Sequence, residues 1–268
     1  MRKTILITGS TDGIGLETAK LLRAHGHTVL LHGRSLKKLE AARTELGAIG
    51  GDGDIGAYLA DFSRLQEVGK LADDVSAQQS KLDVLINNAG ILRTPNEVTD
   101  DGLDTRFVVN LLAPYILTRK LLPLMDATSR VVNLSSAAQA PVDLHALAGR
   151  RRLSVMEAYS QSKLALTMWS RHLANRLGAS GPVVIAVNPG SLLASKMVKE
   201  GFGVAGSDLG IGAGILVNAA LSGEFAEASG RYYDNDSGQF ADPHPDGLDE
   251  QKSDDLIRTI EALLANRT

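Results

Sequence analysis

Short apolar runs alternate with longer amphipathic segments along most of the chain. The runs are aliphatic and nearly continuous, which is typical of strands that are covered on both faces. Six of them predict strands at residues 4–8, 28–32, 55–60, 82–87, 130–134 and 183–188, and residues 231–233 are a candidate last strand.

The segments between these runs carry apolar residues at helical spacing. They predict helices at residues 13–24, 36–46, 64–78, 103–125, 157–177 and 209–221. A regular alternation of strands and helices predicts a parallel, doubly wound sheet with right-handed crossovers and helices on both faces. The fold class is therefore α/β.

The C-terminal part has a different composition. Residues 234–249 are rich in Asp, Gly and Pro, which predicts a loop, and residues 253–265 have helical apolar spacing with Ser253 as the candidate cap. There is no internal repeat and no long linker. We expect one domain over residues 1–268, with a C-terminal loop and helix at 234–268.

Composition excludes several classes of function. The 268 residues are 44% hydrophobic and 22% charged, which is ordinary for a globular protein, and the net charge of −3 does not suggest a nucleic-acid partner. There is no cysteine, which excludes disulfides, thiolate catalysis and zinc–thiolate sites. The six histidines lack metal-ligand spacing, so no metal is expected.

No apolar run approaches the ~18 uninterrupted residues of a spanning helix, and the N-terminal run is too short for a signal peptide. We therefore expect a cytoplasmic protein without a membrane partner.

A glycine-rich segment, TGSTDGIG at residues 8–15, joins the first strand to the first helix. Glycine is needed where the backbone turns sharply and approaches a ligand closely. The N–H groups and the dipole of the helix start favour a pyrophosphate. The segment alone also fits an ordinary tight turn, but its position favours a bound dinucleotide.

The end of the second strand discriminates between two dinucleotides. A carboxylate there would bind the adenosine ribose hydroxyls of NAD, but residues 32–35 read HGRS and contain no acid. The planar guanidinium of Arg34 suits a ribose 2′-phosphate. The sequence predicts NADP(H) rather than NAD(H). The alternative is that Arg34 is a solvated loop cation.

Tyr159 and Lys163 are four residues apart in a helical pattern, so they share one helix face. An ammonium near a phenol lowers its pKa, and such a tyrosine can donate a proton to a ketone or accept one from an alcohol. Ser135 and Ser136 follow the fifth strand, where a hydroxyl could polarise a substrate carbonyl. We expect only one of the two serines to do so. Without this context, the tyrosine–lysine pair would be an ordinary helix face.

Taken together, these residues resemble the short-chain dehydrogenase/reductase family. The resemblance runs from residue 4 to about residue 233 and includes TGSTDGIG, NNAG at residues 87–90, Asn110, Ser136, the Tyr159–Lys163 pair and NPG at residues 188–190. It implies a single-domain Rossmann fold, a nicotinamide cofactor, a small-molecule substrate and a homodimer or homotetramer formed through the helices that carry Asn110 and Tyr159.

The resemblance also implies a role for each residue. Tyr159 would be the general acid/base, Lys163 would bind the nicotinamide ribose and depress the tyrosine pKa, Ser136 would polarise the substrate oxygen, and Asn110 would hold a relay water. The implied cofactor contacts are Gly9, Thr11, Asp12, Gly13, Ile14, Gly15, Arg34, Asp61, Phe62, Asn88, Ala89, Gly90, Tyr159, Lys163, Pro189 and Gly190.

An insert at about residues 137–158 lengthens the gap between Ser136 and Tyr159, as in the branch of retinol dehydrogenases and protochlorophyllide reductases. Its three arginines, at residues 150–152, either meet an anionic substrate or belong to a solvated loop. After Gly190 the family usually has a threonine, for which Ser195 could substitute. The following apolar residues suggest an apolar pocket lid: Leu192, Leu193, Met197, Val198 and Phe202.

The leading hypothesis is thus an NADP(H)-dependent enzyme that interconverts a carbonyl and an alcohol, with reduction as the first expectation for its direction. The alternative is a non-catalytic NADP(H)-binding redox sensor or scaffold. Cofactor binding alone would not require Tyr159, which favours the enzyme.

Overall fold

A computed structural model describes residues 1–191, residue 193 and residues 206–265, and its centre is one eight-stranded sheet. The strand order is β3-β2-β1-β4-β5-β6-β7-β8, with the first seven parallel and β8 antiparallel to β7. The strands are β1 Thr4–Ile7, β2 Thr28–Gly33, β3 Ile55–Leu59, β4 Val84–Asn87, β5 Arg130–Leu134, β6 Val183–Asn188, β7 Tyr232–Asp234 and β8 Gln239–Ala241. The order reverses between β1 and β4, which is where ligands bind in such sheets.

Helices cover both faces of the sheet, which confirms the predicted fold class. The helices are α1 Gly13–Ala24, α2 Leu36–Ile49, α3 Leu65–Gln78, α4 Thr105–Phe107, α5 Ala113–Leu121, α6 Leu144–Leu147, α7 Val155–Leu177, α8 Leu209–Leu221 and α9 Glu250–Leu264. Alternate residues of each strand enter two separate apolar cores. Leu6 and Leu85 face α3, α5, α7 and α9, whereas Ile7 and Ile86 face α1, α2 and α8.

The predicted helix at residues 103–125 is not one regular helix. A π-helical turn, Val108–Leu112, separates α4 from α5, and a 3₁₀ turn at Leu122–Leu124 ends the segment. Thr105–Leu124 is long and apolar enough to cross a membrane by length and composition, but 72% of its most apolar window is buried inside the protein. It is therefore a core helix of this fold. π-helical turns occur frequently at functional sites.

The C-terminal prediction is wrong in two details. Residues 234–249 are not only loop, because they contain β8 and a 3₁₀ turn at Pro245–Leu248. The β7–β8 hairpin is held by aromatic packing, with the rings of Tyr233 and Phe240 5.1 Å apart and edge to face. The last helix begins at Glu250 and is capped by Asp249, whose side chain accepts from the backbone of Lys252.

Ser253, the predicted cap, lies inside α9, and its hydroxyl donates to the Asp249 carbonyl at 2.9 Å. The apolar face of α9 is buried, with Leu256 and Ile260 fully covered. At its outer edge, Glu261 accepts hydrogen bonds from Tyr115 and Arg119 of α5 at 3.2 Å. The last helix therefore covers part of the surface of α5 and α7.

Candidate active site

Most of the predicted site residues gather at the carboxyl edge of the sheet, because their segments follow a parallel strand directly or after a short step. Gly9 follows β1, Arg34 follows β2, Asn88 follows β4, Ser136 follows β5 and Pro189 follows β6. Tyr159 and Lys163 come from the N-terminal half of α7, and Asn110 comes from the π-helical turn.

Glycines shape the first loop because a side chain would collide with its neighbours. Gly9 and Gly13 have positive φ values of 64° and 54°. A Cβ on Gly15 would lie 2.4 Å from Nδ2 of Asn88 and 2.5 Å from the Gly9 oxygen. Nδ2 of Asn88 donates to the carbonyls of Thr8, at 2.8 Å, and Gly9, at 3.1 Å. The glycine loop and the loop after β4 are thus built as one unit.

The second predicted cofactor-binding feature is the end of β2, which carries Arg34. Arg34 is exposed and forms none of the ion pairs found among the described residues. Asp12 caps α1 by accepting from the Gly13 N–H at 2.9 Å, and its other oxygen pairs with Nζ of Lys38 at 2.8 Å. Lys38 therefore offsets the negative charge of Asp12. Thr11 packs on Gly33, where a Cβ would lie 2.5 Å from its methyl group.

His32 is not among the predicted site residues, although it is only 3% exposed. Its Nδ1 accepts from the Gly9 N–H at 3.1 Å, its Nε2 lies 3.1 Å from the Ala60 oxygen, and its ring stacks on Phe62 at 4.2 Å. Phe62 is itself only 4% exposed, so a contact of its ring with adenine stays a prediction. Asp61, the other predicted adenine contact, accepts from the backbone and hydroxyl of Ser63.

The two serines after β5 have different surroundings, as expected. Ser135 is buried, and its hydroxyl bonds that of Thr167 at 2.6 Å and the Lys163 carbonyl at 3.4 Å. Ser136 is half-buried, and its oxygen accepts from the Ala138 N–H at 3.1 Å. Its side chain lies near the phenol of Tyr159, where it favours the phenolate. Ser136 is therefore the serine that faces the candidate chemistry.

The electrostatics of the tyrosine–lysine pair differ from the sequence-based expectation. Burial raises the pKa of Tyr159, and the nearby hydroxyl of Ser136 opposes this rise without cancelling it. Burial also lowers the pKa of Lys163 to about 8. Nζ of Lys163 donates to the Leu134 carbonyl at 2.7 Å and lies 5.8 Å from the centre of the Tyr159 ring. In this structure, desolvation outweighs the expected attraction between ammonium and phenolate.

Asn110 is tied down by three hydrogen bonds. Its Oδ1 accepts from the Ile91 N–H at 2.8 Å, and its Nδ2 donates to the Ile91 carbonyl at 3.0 Å and to the Ser162 hydroxyl at 2.9 Å. The side chain thus joins the loop after β4 to α7. A Cβ on Gly90 would lie 3.3 Å from Nζ of Lys163, so Lys163 lies against this loop. A relay water at Asn110 stays a prediction.

The turn after β6 places Pro189 and Gly190, which has a φ of 118°, at the same edge. Leu193 is 3% exposed, and a Cβ on Gly212 would lie 2.6 Å from its side chain. Ser195, the candidate substitute for the family's threonine, lies outside the described residues. The same holds for the other predicted lid residues, Leu192, Met197, Val198 and Phe202.

The insert folds as a loop that carries the short helix α6, which Asp143 caps. Arg151 pairs with Asp143 at 2.9 Å, and Arg150 and Arg152 are exposed. Contact of these arginines with substrate stays a prediction.

Gln139, at the start of the insert, was also missed. It donates to the Ser136 carbonyl at 3.0 Å and accepts from the His244 N–H at 2.9 Å. The hydroxyl of Tyr232 donates to the same Ser136 carbonyl at 3.2 Å. The C-terminal region therefore supports the backbone of Ser136. No sequence signal could have found the contacts of Tyr232 and His244, because their partners lie about a hundred residues earlier in the chain.

Comparison with known proteins agrees with this geometry. The sequence model for short chain dehydrogenases matches residues 3–202. Retinol dehydrogenase 13 from Homo sapiens is 32% identical over 270 residues, which covers 93% of this chain and 80% of the human protein. Seven further retinol dehydrogenases of types 11 to 14, from mouse, cattle and humans, match over 58–64% of their own lengths.

Solved structures share the fold over nearly the whole chain. An uncharacterized protein from Mycobacterium paratuberculosis is 30% identical, with a TM-score of 0.78 over 98% of this chain and 93% of the other. A short chain dehydrogenase from Burkholderia cenocepacia J2315, solved in complex with NADP, is 27% identical, with a TM-score of 0.71 over 88% of this chain and 97% of the other. The chain belongs to the short-chain dehydrogenase/reductase family of oxidoreductases, in its retinol dehydrogenase-like branch.

Proposed function

We propose that this protein is an NADP(H)-dependent oxidoreductase that interconverts an apolar carbonyl compound and its alcohol, with Tyr159 as the acid/base. One observation carries the proposal. The hydroxyl of Ser136 lies close enough to the phenol of Tyr159 to favour its phenolate, and the buried ammonium of Lys163 lies 5.8 Å from the centre of the same ring. A packing role alone would not bring a phenol, a hydroxyl and an unpaired buried cation together at the ligand-binding edge of the sheet.

The chain's own residues fit a nicotinamide dinucleotide. The glycine loop presents the N-terminus of α1 at the switch point of the sheet, where a pyrophosphate is favoured. No acid ends β2, Arg34 is exposed, and Lys38 offsets Asp12. These features support a 2′-phosphate and hence NADP(H). The NADP complex of the Burkholderia relative is consistent with this preference.

When bound, the nicotinamide supplies or accepts the hydride, and the protein supplies orientation and a proton. The Ala138 N–H occupies a lone pair of the Ser136 oxygen, so the hydroxyl proton is free to point toward Tyr159 or a substrate oxygen. Burial raises the pKa of Tyr159, so its hydroxyl keeps its proton at neutral pH. Tyr159 is thus poised to donate a proton to a carbonyl oxygen, which favours reduction.

Lys163 would anchor the nicotinamide ribose. One of its three N–H groups is used by the Leu134 carbonyl, which leaves two donors for ribose hydroxyls. Asn110 and Gly90 fix the loop against which Lys163 lies. The apolar side chains of the insert, Val142, Leu144 and Leu153, pack against the core. The substrate class is therefore supported by the names of the retinol dehydrogenase relatives.

The test begins with binding. Purified protein is titrated with NADPH and NADH while the fluorescence of the reduced nicotinamide is followed, and NADPH oxidation is then measured with apolar aldehydes and ketones. Tyr159→Phe should bind NADPH like wild type and lose turnover. The control is Tyr58→Phe, at a buried tyrosine on β3, and it should keep turnover. Absence of binding to either nucleotide, or full activity of Tyr159→Phe, would refute the proposal.

A further inference from the structure

Two turns at the far end of the carboxyl edge are bonded to each other. The first, residues 188–191, follows β6, and the second, residues 234–237, joins β7 to β8. The backbone N–H of Asn235 donates to the Asn188 carbonyl at 3.2 Å, and its side chain donates to the Pro189 carbonyl at 2.9 Å. The second turn therefore holds the backbone of the first.

The carboxylate of Asp236 adds the strongest of these links. One oxygen accepts from the backbone N–H of Ser191 at 2.7 Å, and the other accepts from the Ser191 hydroxyl at 2.5 Å and from Nδ2 of Asn188 at 2.9 Å. Hydrogen bonds to an ionised acceptor are about twice as strong as neutral ones. Burial acts to raise the pKa of Asp236, but these bonds outweigh it and the pKa lies below its ordinary value. The carboxylate is therefore charged at neutral pH.

The first turn, residues 188–191, lies beside the candidate catalytic serine, Ser136. β5 and β6 are neighbours, and the Ser135 N–H donates to the Val187 carbonyl at 2.8 Å, one residue before Asn188. Arg34 follows β2, on the opposite side of the β1–β4 switch point. Asp236 thus acts on the part of the edge that is near Ser136 and far from the adenosine end of a bound dinucleotide.

We propose that Asp236 is a positioning residue, which fixes the Asn188–Pro189–Gly190–Ser191 turn so that the nicotinamide end of the cofactor is held against Tyr159. This inference rests on the proposed function. Asp236 is itself exposed, so its three bonds serve the geometry of one turn rather than the burial of a core. Its loss should be felt at the nicotinamide end and not at the adenosine end.

The experiment compares Asp236→Asn with wild type. The amide keeps the size of the side chain, but it removes the charge and turns one acceptor into a donor. The matched control is Asp242→Asn, an exposed acid in the same segment with no hydrogen bond among those of the described residues. Dissociation constants are measured for NADPH and for adenosine 2′,5′-bisphosphate, which contains only the adenosine end, and kcat is measured with a carbonyl substrate.

We expect Asp236→Asn to bind the bisphosphate within about twofold of wild type, and NADPH about tenfold more weakly, because the charge-assisted hydrogen bonds that hold the turn are lost. We expect kcat to fall about tenfold because the reacting groups are less well oriented. Asp242→Asn should match wild type. Ser191→Ala removes one of the three bonds and should show a smaller change in the same direction.

Two results would overturn the inference. The first is unchanged NADPH affinity and kcat in Asp236→Asn. The second is an equal loss of bisphosphate and NADPH binding, which would indicate a general structural defect. If wild type binds neither NADPH nor NADH, the proposed function itself fails, and this result is recognised before any variant is examined.

Discussion

The backbone N–H of Gly9 donates to Nδ1 of His32 at 3.1 Å, which joins the glycine loop to the end of β2. Because Nδ1 is the acceptor, the ring proton lies on Nε2 and points to the Ala60 carbonyl at 3.1 Å. Burial lowers the pKa of His32 to about 4, although the Ala60 carbonyl and Asp61 act to raise it. A protonated ring would place a donor against the Gly9 N–H, so the loop requires the neutral imidazole.

Acid should therefore destabilise the folded protein through His32. Between pH 6.5 and pH 4 the unfolded chain binds a proton at this histidine and the native protein does not, so the free energy of unfolding falls as the pH falls through this window. The full effect is about 3 kcal/mol, since each pKa unit corresponds to about 1.4 kcal/mol. Urea denaturation at pH 7, 5.5 and 4.5 measures it.

The His32→Gln variant isolates the contribution of His32 to this pH dependence, because glutamine does not titrate. Its stability should depend less steeply on pH than that of wild type over the same window. His145→Gln, at an exposed histidine of the insert, should keep the wild-type slope. Equal slopes for wild type and His32→Gln would contradict the prediction.

Arg34→Ala should change the preference between nucleotides. The lost guanidinium–phosphate interaction should weaken NADPH binding about 10- to 100-fold, because a hydrogen bond to a charged group contributes roughly 1.5–3 kcal/mol. NADH binding should change little, because NADH lacks the 2′-phosphate. Fluorescence titration of both nucleotides measures the ratio. Arg43→Ala, at an exposed arginine on α2, is the control. An unchanged ratio in Arg34→Ala would show that Arg34 does not recognise the phosphate.

Lys163→Met should raise stability at pH 7 while it abolishes turnover. Burial lowers the pKa of Lys163 to about 8, so its charged form costs free energy in the native state below that pH. The gain on removing it is about 2 kcal/mol, because the lost hydrogen bond to the Leu134 carbonyl offsets part of the desolvation cost. Functional sites often carry such a cost in stability.

The pH dependence of this gain has a definite sign. Between pH 8 and 10.5 the unfolded lysine holds its proton and the native one does not, so wild type gains stability as pH rises. The advantage of Lys163→Met should therefore shrink over this range in urea denaturation at pH 7, 9 and 10. Lys37→Met, at an exposed lysine, should change stability by no more than about 0.5 kcal/mol. A less stable Lys163→Met at pH 7 would contradict the cost of burying this charge.

The sequence predicted the fold because the sheet is built from local patterns. The aliphatic runs that became β1, β5 and β6 are covered on both faces, and a run of that kind is visible without knowledge of its neighbours. The strand β8 was missed because Gln239–Ala241 is short and depends on packing of Phe240 against Phe225 and Tyr233. Ser253 and Asp249 are both good capping residues, so residue type alone does not show which of them begins the last helix.

The candidate site was predictable only where its residues form contiguous motifs. Tyr159 and Lys163 share one helix face, so their spacing shows in the sequence. The partners of His32 are Gly9 and Ala60, on two other segments, and those of Asp236 lie more than forty residues earlier. The raised pKa of Tyr159 depends on desolvation by the whole fold, which spacing does not reveal.

Two glycine-to-alanine changes should have opposite effects. A Cβ on Gly15 would lie 2.4 Å from Nδ2 of Asn88 and 2.5 Å from the Gly9 oxygen, so Gly15→Ala must displace the link between the two cofactor loops. Overpacking of this kind costs about 1–3 kcal/mol. Gly47 lies in α2 with nothing within 4 Å of its Cβ position, so Gly47→Ala should stabilise the protein by about 0.5–1 kcal/mol.

The two glycine variants should also differ in NADPH binding. Gly15→Ala should weaken NADPH binding as well as lower the urea midpoint, because the displaced segment forms the start of α1. Gly47→Ala should raise the urea midpoint and leave the NADPH dissociation constant unchanged. Gly47 lies near the C-terminal end of α2, whereas Arg34 precedes the N-terminal end of this helix. If Gly15→Ala binds NADPH like wild type and unfolds at the same urea concentration, the close packing of Gly15 on Asn88 is not what shapes the cofactor loop.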